Sequence, residues 1–217
     1  MFGGVILDNL GIFAQGYLAT VILAVAAMAL ALAIGTVAAS IRVWGPPFAS
    51  GVAGFYVEFF RNTPLLVQLF FYATLFAPRN LGITSDPVVV AIIGIGIYTG
   101  AFVTEAIRSG ILSVDPRQVE AARSLGLSQV QTLRLVVLPQ AIRTVIPPLG
   151  NLSIALVKNT SIASAISARE ILFVGLLVQS RTFSLEPFVA ILAAYWSLTI
   201  PLSIAVSRLE RRLAFSR

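Results

Sequence analysis

From Tyr17 to Ile41 the chain runs for 25 residues without a charged side chain. As a helix rising about 1.5 Å per residue, such a run outreaches the roughly 30 Å hydrocarbon core of a bilayer. A soluble fold would have to wrap it in polar protein. The remaining sequence cannot: of 217 residues 58% are hydrophobic and only 11% charged, with a mean hydropathy of +0.93. The run shows no strand-like alternation, and inside a membrane only helices and closed barrels satisfy their own backbones. The expected class is therefore an all-α integral membrane protein.

Four more apolar stretches follow, at about 50 to 76, 88 to 112, 142 onward and 187 to 207, giving five expected transmembrane helices in one domain, 1–217. The first ends at Arg42, before the Gly45-Pro46-Pro47 turn. Residues 2 to 15 carry Asp8 and Asn9 and are expected to lie flat on the outer surface. They lack the basic start of a cleaved leader, so the first span is expected to be retained. A loop with Pro78, Gly82, Asp86 and Pro87 precedes the third span, whose Gly94, Gly96 and Gly100 suit close packing against other helices. Pro147-Pro148 should perturb the fourth span, and 168 to 180 should form an amphipathic surface segment. Ten arginines (42, 108, 117, 123, 134, 143, 208, 211, 212 and 217) fall on one side of these spans and three (79, 169 and 181) on the other. The majority side is cytoplasmic, which puts the N-terminus outside and the C-terminus inside.

Whole classes of chemistry are excluded. The chain has no cysteine and no histidine, so thiolate metal sites, cysteine nucleophiles and histidine bases are absent. Its one lysine, Lys158, follows Val157, so there is no Gly-Lys-Ser/Thr phosphate loop. The net charge of +6 comes from arginines near span ends and forms no groove for nucleic acid. No catalytic residue, metal or cofactor is expected, and the chain is not expected to be an enzyme.

The one long polar interruption lies at about 113–140. Asp115, Pro116 and Gln118 start a short helix as cap, first residue and back-bonding amide. Gly126 can end that helix in the left-handed conformation, and Ser128 with Gln131 caps a second, which Leu138-Pro139 should close. This elbow displays Arg117, Glu120, Arg123 and Arg134 beside a small-residue patch, Ala121-Ala122. The order Glu120-Ala121-Ala122, three residues, Gly126, nine residues, Val136, one residue, Leu138-Pro139 resembles the EAA loop of ABC-importer permeases. Val136 stands where the family usually has Ile, an isosteric departure.

Glu58, Arg61, Glu105 and Lys158 fall within apolar stretches, where each ionisable group costs about 2.5–3.5 kcal/mol on insertion scales. They can neutralise one another inside the helix bundle, or line a cavity for a zwitterion, with cargo carboxylate near Lys158 or Arg61 and ammonium near Glu105 or Glu58. Arg61-Asn62-Thr63-Pro64-Leu65-Leu66-Val67-Gln68 and Lys158-Asn159-Thr160-Ser161 resemble segments of the second and fourth spans of polar-amino-acid permeases, which extends the resemblance over most of the chain. Pro64 can break its helix and free carbonyls, while Asn62, Thr63, Gln68, Asn159, Thr160 and Ser161 offer polar groups at membrane depth, for helix capping or for cargo.

The resemblance implies a type I ABC importer subunit for polar or charged L-amino acids in a bacterial inner membrane. It implies separate ATP-binding subunits docked on Arg117, Glu120, Ala121, Ala122, Arg123, Gly126, Leu138 and Pro139, an extracytoplasmic substrate-binding protein, and a second permease chain, identical or similar. The alternative is an ion-gradient-driven carrier or channel subunit using Glu58 and Glu105 as ion sites. A third reading is an accessory membrane protein without transport of its own.

Overall fold

The structure, a computed structural model, describes residues 3–213, and the regular structure among them is helical throughout. Met1, Phe2 and the tail 214–217, with Arg217 of the orientation count, lie outside the described residues. A five-residue helix α1 (Gly4–Asp8) meets a 35-residue helix α2 (Leu10–Trp44) at Asn9, whose carbonyl already accepts from Phe13. Residues 10 to 15 are thus the first turns of the long helix rather than part of a flat surface piece. Packing explains the difference: Phe13 is buried with Ile171, Val174 and Val178.

After the Gly45-Pro46 turn, α3 (Pro47–Arg61) and α4 (Leu65–Phe76) share the second stretch, split at Asn62 to Pro64. Asp86 caps α5 (Pro87–Leu112) by accepting from Val88 N at 2.8 Å. α5 is the central helix. Along its length it packs on α2, small residue against large: Gly96 faces Leu30, and Gly35 of α2 faces Val103 and the carbonyl of Gly100. Gly94 receives Leu69 and Tyr72 of α4. The expected role of these glycines is observed, and the core gathers around the same contacts, with Leu23, Ala27, Leu69, Ala91 and Ile95 buried.

The polar elbow follows as α6 (Pro116–Ser124) and α7 (Gln129–Thr132). Here the expected stop at Leu138-Pro139 is not observed. A π-helical turn, Leu133–Val137, carries α7 into α8 (Leu138–Asn159), so one helical path runs from the elbow into the bundle. Pro139 sits in the first turn after the π segment, where its missing N–H and its ring are tolerated. Pro147 and Pro148 leave α8 continuous too, although they remove the donors for the Arg143 and Thr144 carbonyls.

The irregularity lies instead beyond α8, in a 3-10 turn (Thr160–Ile166) that ends at Ser167 with φ of 66°. α9 (Ile171–Thr182) leaves at a 50° bend and buries Ile171, Val174 and Val178 against α2 and α10, so the expected surface segment is half core. α10 (Glu186–Leu213) closes the chain. Three helices, α2, α5 and α10, are long and apolar enough to cross a membrane, and the bent pair of residues 129–166 and α9 makes a fourth crossing if counted as one.

A Cβ on Gly35 would overlap Val103 and approach the Gly100 carbonyl oxygen to 3.1 Å, whereas one on Gly51 meets nothing within 4 Å. Gly35→Val should therefore destabilise the chain by about 1–3 kcal/mol, the usual cost of overpacking, and Gly51→Ala should not. Thermal denaturation of the solubilised chain checks both.

Candidate functional site: an arginine-lined cavity and a polar elbow

The close packing of α2 on α5 brings the end of one helix beside the end of the other. Glu105 Oε2 accepts from Arg42 Nη1 at 2.9 Å, and Oε1 is bonded by Arg108, one turn further on. Arg61, the last residue of α3, lays its guanidinium over the Phe102 ring, 5.3 Å from the centroid, near enough for its charge to act on Glu105 as well. Of the four charges in apolar stretches, Arg61 and Glu105 come near one another, while pairing of all four is not observed among the described residues. Glu105 takes two arginines that had counted only toward topology, while neither Glu58 nor Lys158 has an ion pair among the described residues. One carboxylate among three guanidinium groups leaves the cluster net positive.

Arg61, Phe102 and Glu105 form one wall of a cavity of about 520 Å³ between α5 and α8. The other wall is Thr144, Pro148, Asn151 and Leu152. Thr144, Pro148 and Asn151 recur at helical spacing, i, i+4 and i+7, which lines one face of α8. Lys158, exposed and seven residues beyond Asn151, continues that face past the cavity. Pro148 also leaves the Thr144 carbonyl without its helical donor. The structure therefore brings Arg61 and Glu105 together and keeps Lys158 on the same helix face at a distance.

The other expected polar residues are engaged locally. Asn62 Nδ2 donates to the Glu58 carbonyl at 2.7 Å and to Glu58 Oε2 at 3.1 Å; Thr63 Oγ1 donates to the Phe59 carbonyl at 2.9 Å; Gln68 is buried against the same break. Thr160 Oγ1 donates to the Val157 carbonyl at 2.7 Å and Ser161 Oγ to the Lys158 carbonyl at 2.8 Å, which ties the 3-10 turn to α8. The side chains of Lys158 and Asn159 make no hydrogen bond among the described residues.

At the elbow, Asp115 caps α6 by accepting from Arg117 N at 2.9 Å, and the Ser128–Gln131 capping box is complete. The Gln118 side chain, expected to bond back to the cap, instead accepts from Gln140 on α8. Gly126 has φ of 83°, and the pair Gly126 N to Arg123 O and Leu127 N to Ala122 O closes α6 as a Schellman motif. Of the small-residue patch, Ala121 is exposed and Ala122 buried. Arg117, Glu120, Arg123, Leu125 and Val130 are exposed, with Leu125 at 84%, so the elbow offers charges around uncovered apolar side chains.

One cluster escaped the sequence reading. Glu170 is fully buried; its carboxylate caps α9 by accepting from Leu172 N and Phe173 N at 2.9 and 2.8 Å, and takes the Tyr195 hydroxyl of α10 at 2.8 Å. A glutamate directly before an apolar run was the available signal. The partner tyrosine, 25 residues on, had none.

The family model described as "Binding-protein-dependent transport system inner membrane component" matches residues 31–215. The chain is 41% identical to the probable glutamine ABC transporter permease protein GlnM of Bacillus subtilis (strain 168) over 214 residues, 96% of each chain. It is 36% identical to the glutamine transport system permease protein GlnP of Escherichia coli (strain K12) over 202 residues, 92% of this chain and 91% of that one. Among solved structures, a chain of an amino acid ABC transporter crystallised with histidines superposes with a TM-score of 0.85 at 33% identity, covering 95% of this chain and 96% of that one. A chain of the MetNI methionine ABC transporter shares the fold, at 18% identity and a TM-score of 0.82, covering 96% and 99%. The cavity is walled by helices that lead into a polar elbow, and on these matches the chain belongs to the family of binding-protein-dependent transport system inner membrane components.

Proposed function

We propose that this chain is the membrane-spanning subunit of an ATP-driven importer for a polar L-amino acid of the glutamine kind, in a bacterial inner membrane. The observation that carries the mechanism is the continuous helical path from α7 through the π turn into α8. The second helix of the elbow and the cavity wall of Thr144, Pro148 and Asn151 share one helical path, so a displacement passed from α6 across the Gly126 turn to α7 reaches the cavity along a single element. The chain has no phosphate loop, so the displacement comes from separate ATP-binding subunits that dock on Arg117, Glu120, Ala121, Arg123 and the exposed Leu125 and Val130. Ala122 is buried and shapes the elbow from within, while Gly126, Leu138 and Pro139 belong to the same coupling set.

In this reading the domain is 1–217, the elbow 113–140, and the spans number five: α2, α3 with α4, α5, α8 with its bent continuation α9, and α10. The N-terminus lies outside and the C-terminus inside. α10 is buried over only 6% of its apolar window, a surface left for lipid and for a second permease chain. A binding protein delivers cargo from the outer side. The cargo carboxylate faces Arg61, since the cluster around Glu105 is net positive, and the freed Thr144 carbonyl and Asn151 are available to the cargo's amide and ammonium donors. Lys158, Asn159 and Ser161 stand further out on the path, while Glu58, Asn62, Thr63, Gln68 and Thr160 hold its helices in shape. Glu105, held by two arginines, is poorly placed to exchange a proton or sodium ion, so a gradient-driven carrier is not favoured.

Two measurements bear on this. In proteoliposomes carrying the chain with its ATP-binding subunits and binding protein, Arg61→Ala should raise the half-saturating glutamine concentration about tenfold or more, a charge-assisted hydrogen bond being worth about 1.5–3 kcal/mol. Unchanged half-saturation would remove Arg61 from the site. Gly126→Val places a branched residue at a φ of 83° at a cost of at least about 1–2 kcal/mol. It should abolish glutamine uptake while the subunits still copurify; uptake at the native rate, or uptake that requires an ion gradient rather than ATP, would overturn the importer reading.

A further inference from the structure

In an unbroken helix the backbone N–H of residue 64 would bond the carbonyl of Phe60, but Pro64 has no N–H. At bilayer depth no water replaces it. The Gln68 side chain does: Nε2 donates to the Phe60 carbonyl at 3.2 Å, to the Thr63 carbonyl at 3.1 Å and to Thr63 Oγ1 at 2.6 Å. With Asn62 on the Glu58 carbonyl and Thr63 on that of Phe59, each of the carbonyls of residues 58 to 60 has a side-chain donor. The Glu58 carbonyl also accepts from Asn62 N at 3.1 Å, while those of Phe59 and Phe60 are closed by side chains.

The other end of the same amide makes plain which end matters. Gln68 is 6% exposed, and its Oε1 is buried without a hydrogen-bond partner. Turning the amide over would set Oε1 against two carbonyl oxygens and lose the donors, so the orientation follows from the acceptors around it. A buried unpaired acceptor is destabilising, and the fold tolerates it where the donor end closes the break.

Arg61 is the last residue of α3. It has a stacking contact with Phe102 but no hydrogen bond among the described residues, so its place at the cavity wall is set by its backbone. That backbone is held on one side by Tyr56, whose hydroxyl donates to the Ile97 carbonyl of α5 at 2.7 Å. On the other side it is held across the break, by Gln68.

We propose that Gln68 is a positioning residue of the transport site: its amide stands in for the N–H that Pro64 lacks and thereby sets Arg61 at the cavity wall. The inference rests on the assignment of Arg61 to cargo made above. It predicts a specific rescue, because Pro64→Ala restores a backbone donor for the Phe60 carbonyl. In proteoliposomes with the ATP-binding subunits and binding protein, Gln68→Leu should raise the half-saturating glutamine concentration about tenfold, with the maximal rate changed less than about twofold. The Pro64→Ala, Gln68→Leu double variant should return to within about threefold of the native value. The thermal midpoint of the purified chain should show the same non-additivity.

Effects at 64 and 68 that combine independently, in uptake and in thermal midpoint, would overturn the proposal. Should Gln68→Leu fail to accumulate, recovery of accumulation on adding Pro64→Ala supports the stand-in and its absence refutes it. Arg61→Ala separates the two assignments. If it leaves half-saturation unchanged, the cargo role of Arg61 falls, and the coupling of residues 64 and 68 in thermal midpoint alone decides whether Gln68 replaces the missing N–H.

Discussion

The constraint on which the rest depends is that no carbonyl at bilayer depth can turn to water. Three departures from regular helix among the described residues are matched by substitute donors or acceptors. The break after Arg61 is closed by Asn62, Thr63 and Gln68; the 3-10 turn after α8 is tied by Thr160 and Ser161; the start of α9 is capped by a buried glutamate. Polar residues that a sequence reader assigns to cargo are needed first by the backbone. The polar residues without such duties form a smaller set, Arg61, Asn151, Lys158 and Asn159.

A second constraint is how closely α2 and α5 approach. Gly35, Gly96 and Gly100 let the two helices pack backbone to side chain, and that spacing carries Arg42 to within 2.9 Å of Glu105. The charge state of the cavity is thus a consequence of small residues several turns away. Electrostatics at this site begins as packing.

The class of fold, the elbow and its caps were legible because they depend on local rules: charge-free length, a proline after an aspartate, a glycine where a helix must turn. The break at Pro64 was legible for the same reason. The partners of Glu105 were not, because Arg42 lies 63 residues away and nothing in either segment encodes the contact. The continuity of α7 with α8 was misread for a different reason. Leu138-Pro139 has the local appearance of a stop, and the π turn before it is a tertiary accommodation with no strong sequence mark. The prolines at 147 and 148 mislead similarly, since a membrane helix packed by neighbours retains its path through missing donors.

The π turn also sets an angle. A wide turn is equivalent to one residue inserted into an α-helix, and each residue of a helix turns it by about 100°. The face of α7 that looks outward and the face of α8 that looks into the cavity are therefore out of phase by about that amount relative to an uninterrupted helix. Length at Leu133–Val137 acts as a phase setting between the elbow and the cavity wall, and the identity of the side chains there is secondary to their number.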